Sequence, residues 1–509
     1  MTQSRATTAG LVYLVGAGPG DPGLITLRGA QCLAHADLVL YDYLANPVIL
    51  KHANPSAELI SLGHHGSLKP WPQSEINAAM VDAARMGKTV VRLKGGDPDV
   101  FGRSADEIEA LSAAGIPYQT VPGVTAALAA SSYAAIPITH GEHSSAVALV
   151  AGQERHTKHT PSLDYGALAA FPGTIIFYMG VTSVGVWSEA LLHRGKPADT
   201  PVAIVRRCSW ADQETVRCTL GDVANVIAER RLRPPAVILV GRVAAMGPEV
   251  SWFAGRPLFG KRVVVTRPRQ QAETCVDRLA ELGATVLFQP AIEIGPPNDW
   301  APVDRALANL DRYDWVVFSS VNGVRFFLDR LWHHGGDARR LGRVKIAAIG
   351  PGTAEELGKD RLRADLVPPE YRAESLAEAV AAEAHGRRFL LVRASRGREV
   401  LAEQLGLAGA RVEQVVAYRS TDTQRPDPEV AAALAEGRID WMTVTSSAIA
   451  ESLVRLFGET LRQTQLESIS PVTSETLARL GFPPAAEAAR YTMEGLVDAI
   501  LAAAPSRGP

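Results

Sequence analysis

At 509 residues, 47% of them hydrophobic and 21% charged, the chain is too long for one core and too apolar for disorder, and at roughly 150 residues per domain it predicts three or four α/β units. A net charge of −2 and a pI near 6.7 argue against nucleic acid or an anionic membrane as a bulk partner, so a polyanionic ligand must meet locally gathered Arg and Lys. No run approaches the roughly 18 apolar residues of a membrane span, the first ten residues lack a signal-peptide core, and Cys32, Cys208, Cys218 and Cys275 show no metal-ligand spacing, so a cytoplasmic protein with free thiols is expected.

Strand and helix patterns alternate along the chain, which predicts parallel α/β sheets. Strand-like runs fall at Leu11–Val15, Leu38–Tyr41, Thr89–Leu93, Tyr118–Val121, Ala146–Val150, Thr174–Tyr178 and Val202–Val205, with helical patterns at Gln73–Arg85, Ala105–Ala113 and Thr125–Tyr133. From Thr200 to Val240 the strands become short and close-set, an antiparallel finish. Residues 246–260, rich in Pro and Gly but carrying Trp252, Phe253, Leu258 and Phe259, predict a docking linker. The domains expected are therefore 10–245 and 261–503, joined by 246–260. The second half echoes itself: Trp315–Phe318 with Ser319 and Ser320 resembles Trp441–Val444 with Thr445 and Ser446, and Pro351 with Thr353 resembles Pro471 with Thr473. Two similar lobes around a cleft would explain the echo.

Three strands of the first half run into glycine turns. Val12–Gly23 reads VYLVGAGPGDPG; Asp21 stands where a dinucleotide fingerprint needs its third glycine, so on its own this is as much a structural turn as a ligand loop. Arg92–Gly102 (RLKGGDPDVFG) and Val121–Ala127 (VPGVTAA) repeat the pattern, and three such turns at strand ends are what a cofactor cleft needs.

In order and spacing, VGAGPGDPG, RLKGGDP, VPGVTAA, IPITH, TIIFYMG, TPVAIV and PPAVILVG resemble the uroporphyrinogen-III C-methyltransferases of the tetrapyrrole methylase family over residues 10–245. The resemblance implies two α/β domains with S-adenosylmethionine between them and a homodimer. It assigns Pro19, Gly95, Gly96, Asp97, Val100, Thr125, Ala126 and Met179 to the cofactor pocket and Asp42 to proton acceptance from the methylated ring carbon. Without it, Asp42 reads as a turn or cap residue. The chain departs from the family pattern at His64, where a proton-donating lysine is usual, at Gly141 in place of Arg, at Asp99 and Ser104, and at Cys208 in place of a glycine that touches the cofactor.

The second half shows no nucleotide loop, metal site or nucleophile triad; what stands out is hydroxyls at strand ends with nearby arginines. Such hydroxyls usually cap helices, but Ser319, Ser320, Thr353, Ser446 and Thr473 with Arg267, Arg269, Arg393, Arg396 and Arg398 around one cleft would suit a ligand bearing many carboxylates. VVVTRPRQQAE, WVVFSSVNGVRFF, AAIGPGTAEEL, LLVRASRGRE, VVAYRS and VTSSAIAESL resemble uroporphyrinogen-III synthases over 261–503. That implies two α/β lobes, the first built from both ends of the segment. It makes Tyr418 the residue that helps the terminal hydroxyl of hydroxymethylbilane depart, and Ser320, Thr353, Arg393, Ser446 and Thr473 substrate contacts. The combined expectation is cyclisation to uroporphyrinogen III followed by its methylation to precorrin-2, with small tetrapyrroles as partners and neither nucleic acid nor membrane. A methyltransferase of other ring specificity, or a non-catalytic S-adenosylmethionine-binding module, is the alternative for the first half.

Overall fold

The structure is a computed structural model and describes residues 10–63, 71–153, 163–268, 271–397 and 399–504. The chain forms two compact units, one of Met1–Lys261 with Leu279–Thr285 and the last residues, the other of Arg262–Arg278 with Val286–Ala503.

The first unit begins with a five-stranded, wholly parallel sheet in the order Glu58–Ser61, Leu38–Tyr41, Val90–Lys94, Val12–Gly16, Tyr118–Val121. Helices cover it, so its central strands are buried on both faces rather than alternately, and Val90–Lys94 is buried throughout although it carries Arg92 and Lys94. Register sets the site: Gly16 lies opposite Lys94, and Val15 lies opposite both Leu93 and Val121. The three glycine turns therefore leave the sheet side by side.

A second sheet follows in the order Val147–Ala151, Thr174–Tyr178, Ala236–Val240, Pro201–Arg206, Glu214–Thr219, its first pair parallel and the rest antiparallel as the close-set strands predicted. Trp187 and Phe177, both 0% exposed, stack at 4.3 Å beneath it. Burying such a pair contributes on the order of 3–6 kcal/mol before ordering entropy is subtracted. The helix Ala126–Ala134 leaves the third glycine turn and packs its alanines against Ile176, Val205 and Leu239 of the second sheet. Phe253 and Phe259 of the stretch 246–260 join the same core.

The second unit holds two sheets. One takes Thr285–Phe288, Arg262–Val265, Trp441–Val444, Gln465–Ser468 and Ala486–Glu487, so it is assembled from both ends of the segment. The other takes Ile292–Gly295, Arg411–Asp422, Arg388–Ala394, Trp315–Phe318 and Lys345–Ala348. Two strands connect them, tied where Thr423 N–H donates to the Ala291 carbonyl and Asp427 N–H donates to Gln289. The sequence echo is a structural one. Ser320 (φ −169°, ψ 157°) and Ser446 (φ −168°, ψ 161°) end equivalent buried strands and cap equivalent helices. Among the described residues no helix is long and apolar enough to cross a membrane.

Candidate active sites

In the first unit the glycine turns interlock through backbone. Gly18 and Gly96 exchange hydrogen bonds at 3.1 and 2.7 Å. A Cβ on Gly123 would stand 2.2 Å from the Gly96 carbonyl oxygen and 2.7 Å from Gly16 Cα, so only glycine permits this approach. Asp97 closes the set by accepting Gly123 N–H at 2.9 Å and Asp99 N–H at 2.9 Å. Gly96, at φ +71°, faces open space, with Ala126 N the nearest atom at 3.9 Å from a notional Cβ.

Around this backbone shelf the other expected residues gather. Trp210 Nε1 donates to the Pro19 carbonyl at 3.0 Å. The Tyr178 hydroxyl accepts Ala127 N–H at 2.9 Å and lies 2.7 Å from Thr125 Oγ1, so a tyrosine from the second sheet caps the helix that Thr125 begins. Its neighbour Met179 is 48% exposed at φ +53°, and Phe101, next to Val100, meets the Tyr178 ring at 5.0 Å. Cys208 does not intrude: its thiol is buried in the core and donates to the Ala126 carbonyl at 3.7 Å, and burial pushes its pKa up to about 12. Open glycine backbone and an exposed methionine next to Tyr178 fit an adenosyl sulfonium, which needs amides, carbonyls and soft apolar contact.

Asp42 follows the neighbouring strand, its N–H donating to Leu93. Its carboxylate is held by Arg92 at 2.5 Å. Arg92 in turn donates to Glu107 at 3.0 Å, and Lys94 reaches the other Glu107 oxygen at 2.5 Å. The side chains of Arg92, Lys94 and Glu107 are almost wholly buried, and two cations balance two carboxylates, which is what keeps buried charge tolerable. Burial and the adjacent Arg92 pull the Lys94 ammonium below its usual range, against the opposing pull of Glu107. Sequence reading missed this network because RLK looks like an ordinary strand. The clue was two cations in a strand whose other residues are apolar. His64 lies outside the described residues.

In the second unit Tyr418 is 7% exposed, with its hydroxyl 3.0 Å from Ser320 Oγ and its ring stacked on Phe326 at 5.8 Å. Burial raises its pKa, so the phenol stays protonated, against the smaller opposing pulls of Ser320, Asn322 and Arg396. Ser320 Oγ also accepts Gly323 N–H at 3.0 Å. A chain of side chains spans the lobes here: Arg267 donates to Gln271 at 2.8 Å and Gln271 to Asn322 at 2.5 Å. Gln271 and Asn322 were not anticipated. Ser446 caps its helix through Ile449 N–H at 3.3 Å, while Thr353 and Thr473 are buried in the first turns of the helices Pro351–Lys359 and Pro471–Arg479. Arg393 spends its donors on Glu399, Gln414 and the Gly397 carbonyl. Arg269 and Arg398 lie outside the described residues.

Residues 11–224 match the family model for tetrapyrrole (corrin/porphyrin) methylases and residues 273–498 that for uroporphyrinogen-III synthase HemD. The "Porphyrin biosynthesis protein HemD" of Ruminiclostridium josui is 33% identical over 97% of this chain and 98% of its own length. The chain belongs to the tetrapyrrole methylase and uroporphyrinogen-III synthase families, fused in one polypeptide. The "Uroporphyrinogen-III C-methyltransferase" of Bacillus subtilis is 36% identical over 71% of this chain and 74% of its own. The "S-adenosyl-L-methionine-dependent uroporphyrinogen III methyltransferase" of Methanosarcina barkeri is 45% identical over 46% of this chain and 92% of its own. This methylase–synthase fusion is accordingly a bifunctional enzyme of tetrapyrrole biosynthesis.

Proposed function

We propose that the synthase half closes hydroxymethylbilane to uroporphyrinogen III and that the methylase half methylates that product to precorrin-2. The observation that carries the reading is the aligned trio of glycine turns with Asp42 fixed at their rim by Arg92. S-adenosylmethionine, when bound, supplies an electrophilic methyl group. Pro19, Gly95, Gly96, Asp97, Thr125 and Ala126 form its shelf, Val100, Met179 and Cys208 flank it, and Asp42 takes the proton that the methylated ring carbon must shed. His64 belongs to the proposal as a proton donor.

In the synthase half the Tyr418 phenol donates its proton to the departing hydroxyl, which leaves as water. The resulting azafulvene cation is attacked by the substituted carbon of the last ring. That carbon's bond to its original bridging carbon then breaks, and the bridging carbon joins the ring's free α carbon. The proton lost there restores the Tyr418 phenol, so the ring is inverted as the macrocycle closes. Ser320 orients the phenol, while Thr353, Arg393, Ser446 and Thr473 mark where the substrate lies, and holding a flexible bilane in one geometry supplies much of the rate. The proposal includes a homodimer through the methylase half. It also includes a cytoplasmic location, supported by four cysteines that are all free thiols.

An anaerobic assay with fresh hydroxymethylbilane, with and without S-adenosylmethionine, tests the reading by isomer-resolving chromatography. Isomer III without cofactor, and dimethylated product only with it, is expected. Isomer III that is never methylated would overturn the methylase assignment and leave the synthase one standing.

A further inference from the structure

A closed ring of hydrogen bonds fastens the first glycine turn. Asp21 N–H donates to Ser209 Oγ at 2.9 Å, Ser209 N–H to Gln213 Oε1 at 2.9 Å, and Gln213 Nε2 to the Tyr133 carbonyl at 3.2 Å. The Tyr133 hydroxyl then donates to Asp21 Oδ2 at 2.7 Å and closes the ring. The other carboxylate oxygen takes Gly23 N–H at 2.8 Å, so Asp21 sets the turn that follows Pro19. Tyr133 is 7% exposed, and burial together with Asp21 raises its pKa, which keeps the phenol a donor.

The Tyr133 ring is itself seated by residues beyond the methylase segment. Phe253 meets it edge-on at 4.7 Å and Trp252 at 5.2 Å. Trp252 is pinned where its Nε1 donates to the Ser132 carbonyl at 2.9 Å, and the Arg256 guanidinium lies 4.8 Å from the Trp252 ring and 4.7 Å from that of Phe253. Phe253 is 3% exposed, so its ring is fixed in the core, while Trp252 beside it stays 54% exposed.

We infer that Tyr133 is a positioning residue for the turn Gly16–Gly23 and that Trp252 and Phe253 hold Tyr133 in place, so that the methylase half's grip on S-adenosylmethionine depends on the stretch leading into the synthase. The inference rests on reading that turn as part of the cofactor shelf. A phenol that loses its hydroxyl leaves one Asp21 oxygen without its partner, and a ring that loses its seat lets the hydroxyl drift. Both act on the same turn, so their effects must overlap.

The test is calorimetric titration of the full chain with S-adenosylhomocysteine. Tyr133→Phe is expected to weaken binding about five- to tenfold, a part of the full worth of one hydrogen bond to a charged group because the contact acts on the cofactor through the turn. Phe253→Leu alone is expected to weaken it roughly threefold, and to add nothing in the Tyr133→Phe background, the signature of residues acting through one contact. In turnover, KM for S-adenosylmethionine rises while kcat stays within about twofold. The binding stoichiometry of the same titration reports how much of the methylase half is folded. Unchanged affinity in Tyr133→Phe overturns the role of Tyr133, and penalties that multiply in the double variant overturn the role of the connecting stretch. A wild-type chain that does not bind S-adenosylhomocysteine overturns the cofactor reading itself, and this inference with it.

Discussion

Arg92 grips Asp42 at 2.5 Å while its own Nε is held by the wholly buried Glu107. The carboxylate beside the second glycine turn is therefore aimed by a partner that is itself held at its other end. Asp42→Asn should lower methylation by about 10²–10⁴-fold, the usual worth of a positioned proton acceptor, and leave synthase turnover untouched. Methyl transfer to uroporphyrinogen III under anaerobic conditions measures it, and near-normal transfer would remove Asp42 from the mechanism.

Arg92→Gln has a different signature. It leaves Asp42 without its partner and Glu107 with Lys94 and the Gln73 amide, at a cost of at most about 3–5 kcal/mol, the loss expected when one partner of a buried pair is removed. Thermal unfolding should show the first unit melting early with the second unmoved. Two transitions shifting together would contradict it.

Tyr418 stands 3.0 Å from the cap serine Ser320, and burial holds its pKa above the ordinary tyrosine value. A raised pKa keeps the proton on the phenol as pH rises, so the donor form persists past pH 10 and is lost only above it. Tyr418→Phe should slow cyclisation by about 10–100-fold without abolishing it, because bilane geometry supplies much of the rate. The synthase rate of the parent chain should show no alkaline loss between pH 7 and 9. A steep fall in that window would mean that another group donates.

Element order and both families were legible in the sequence, because strands buried on both faces of a parallel sheet read as apolar runs ending in glycine turns. Gln73–Arg85 agrees with the helix read from periodicity residue for residue. What could not be read was long-range: that Tyr178 would cap the helix of Thr125, 53 positions away, or that Arg92 would face Glu107 rather than solvent. Local pattern shows that a residue is buried and not which partner satisfies it. Phe253 and Phe259 illustrate the same limit, since their aromatics among Pro and Gly foretold a stretch that docks but not which core it would enter.

Gly123 gives the sharpest test of the shelf. A methyl group there would overlap the Gly96 carbonyl at 2.2 Å, and that backbone cannot swing aside without breaking the pairing of Gly18 with Gly96. Gly123→Ala should therefore lower S-adenosylhomocysteine affinity by at least about 100-fold, consistent with more than 2 kcal/mol of displaced backbone. Binding within about tenfold of the parent chain would show that the shelf is not where the cofactor lies.

Glu467 sits mid-strand between Thr443 and Ala486, is 0% exposed, and neither of its carboxyl oxygens has a hydrogen-bond partner among the described residues. Burial pushes its pKa from 4.5 up to about 9. The folded state thus keeps a proton that the unfolded chain releases above about pH 4.5. Its contribution is fully present below that pH, shrinks as pH rises, and is lost through pH 9. The slope is about 1.4 kcal/mol per pH unit, or about 4 kcal/mol between pH 5 and 8. The second unit should then melt on the order of 10 °C lower at pH 8 than at pH 5. Glu467→Gln, which cannot ionise, should flatten that dependence and be the more stable chain at pH 8. Parallel curves of melting temperature against pH for the two chains would mean that the carboxyl finds a partner or water in solution.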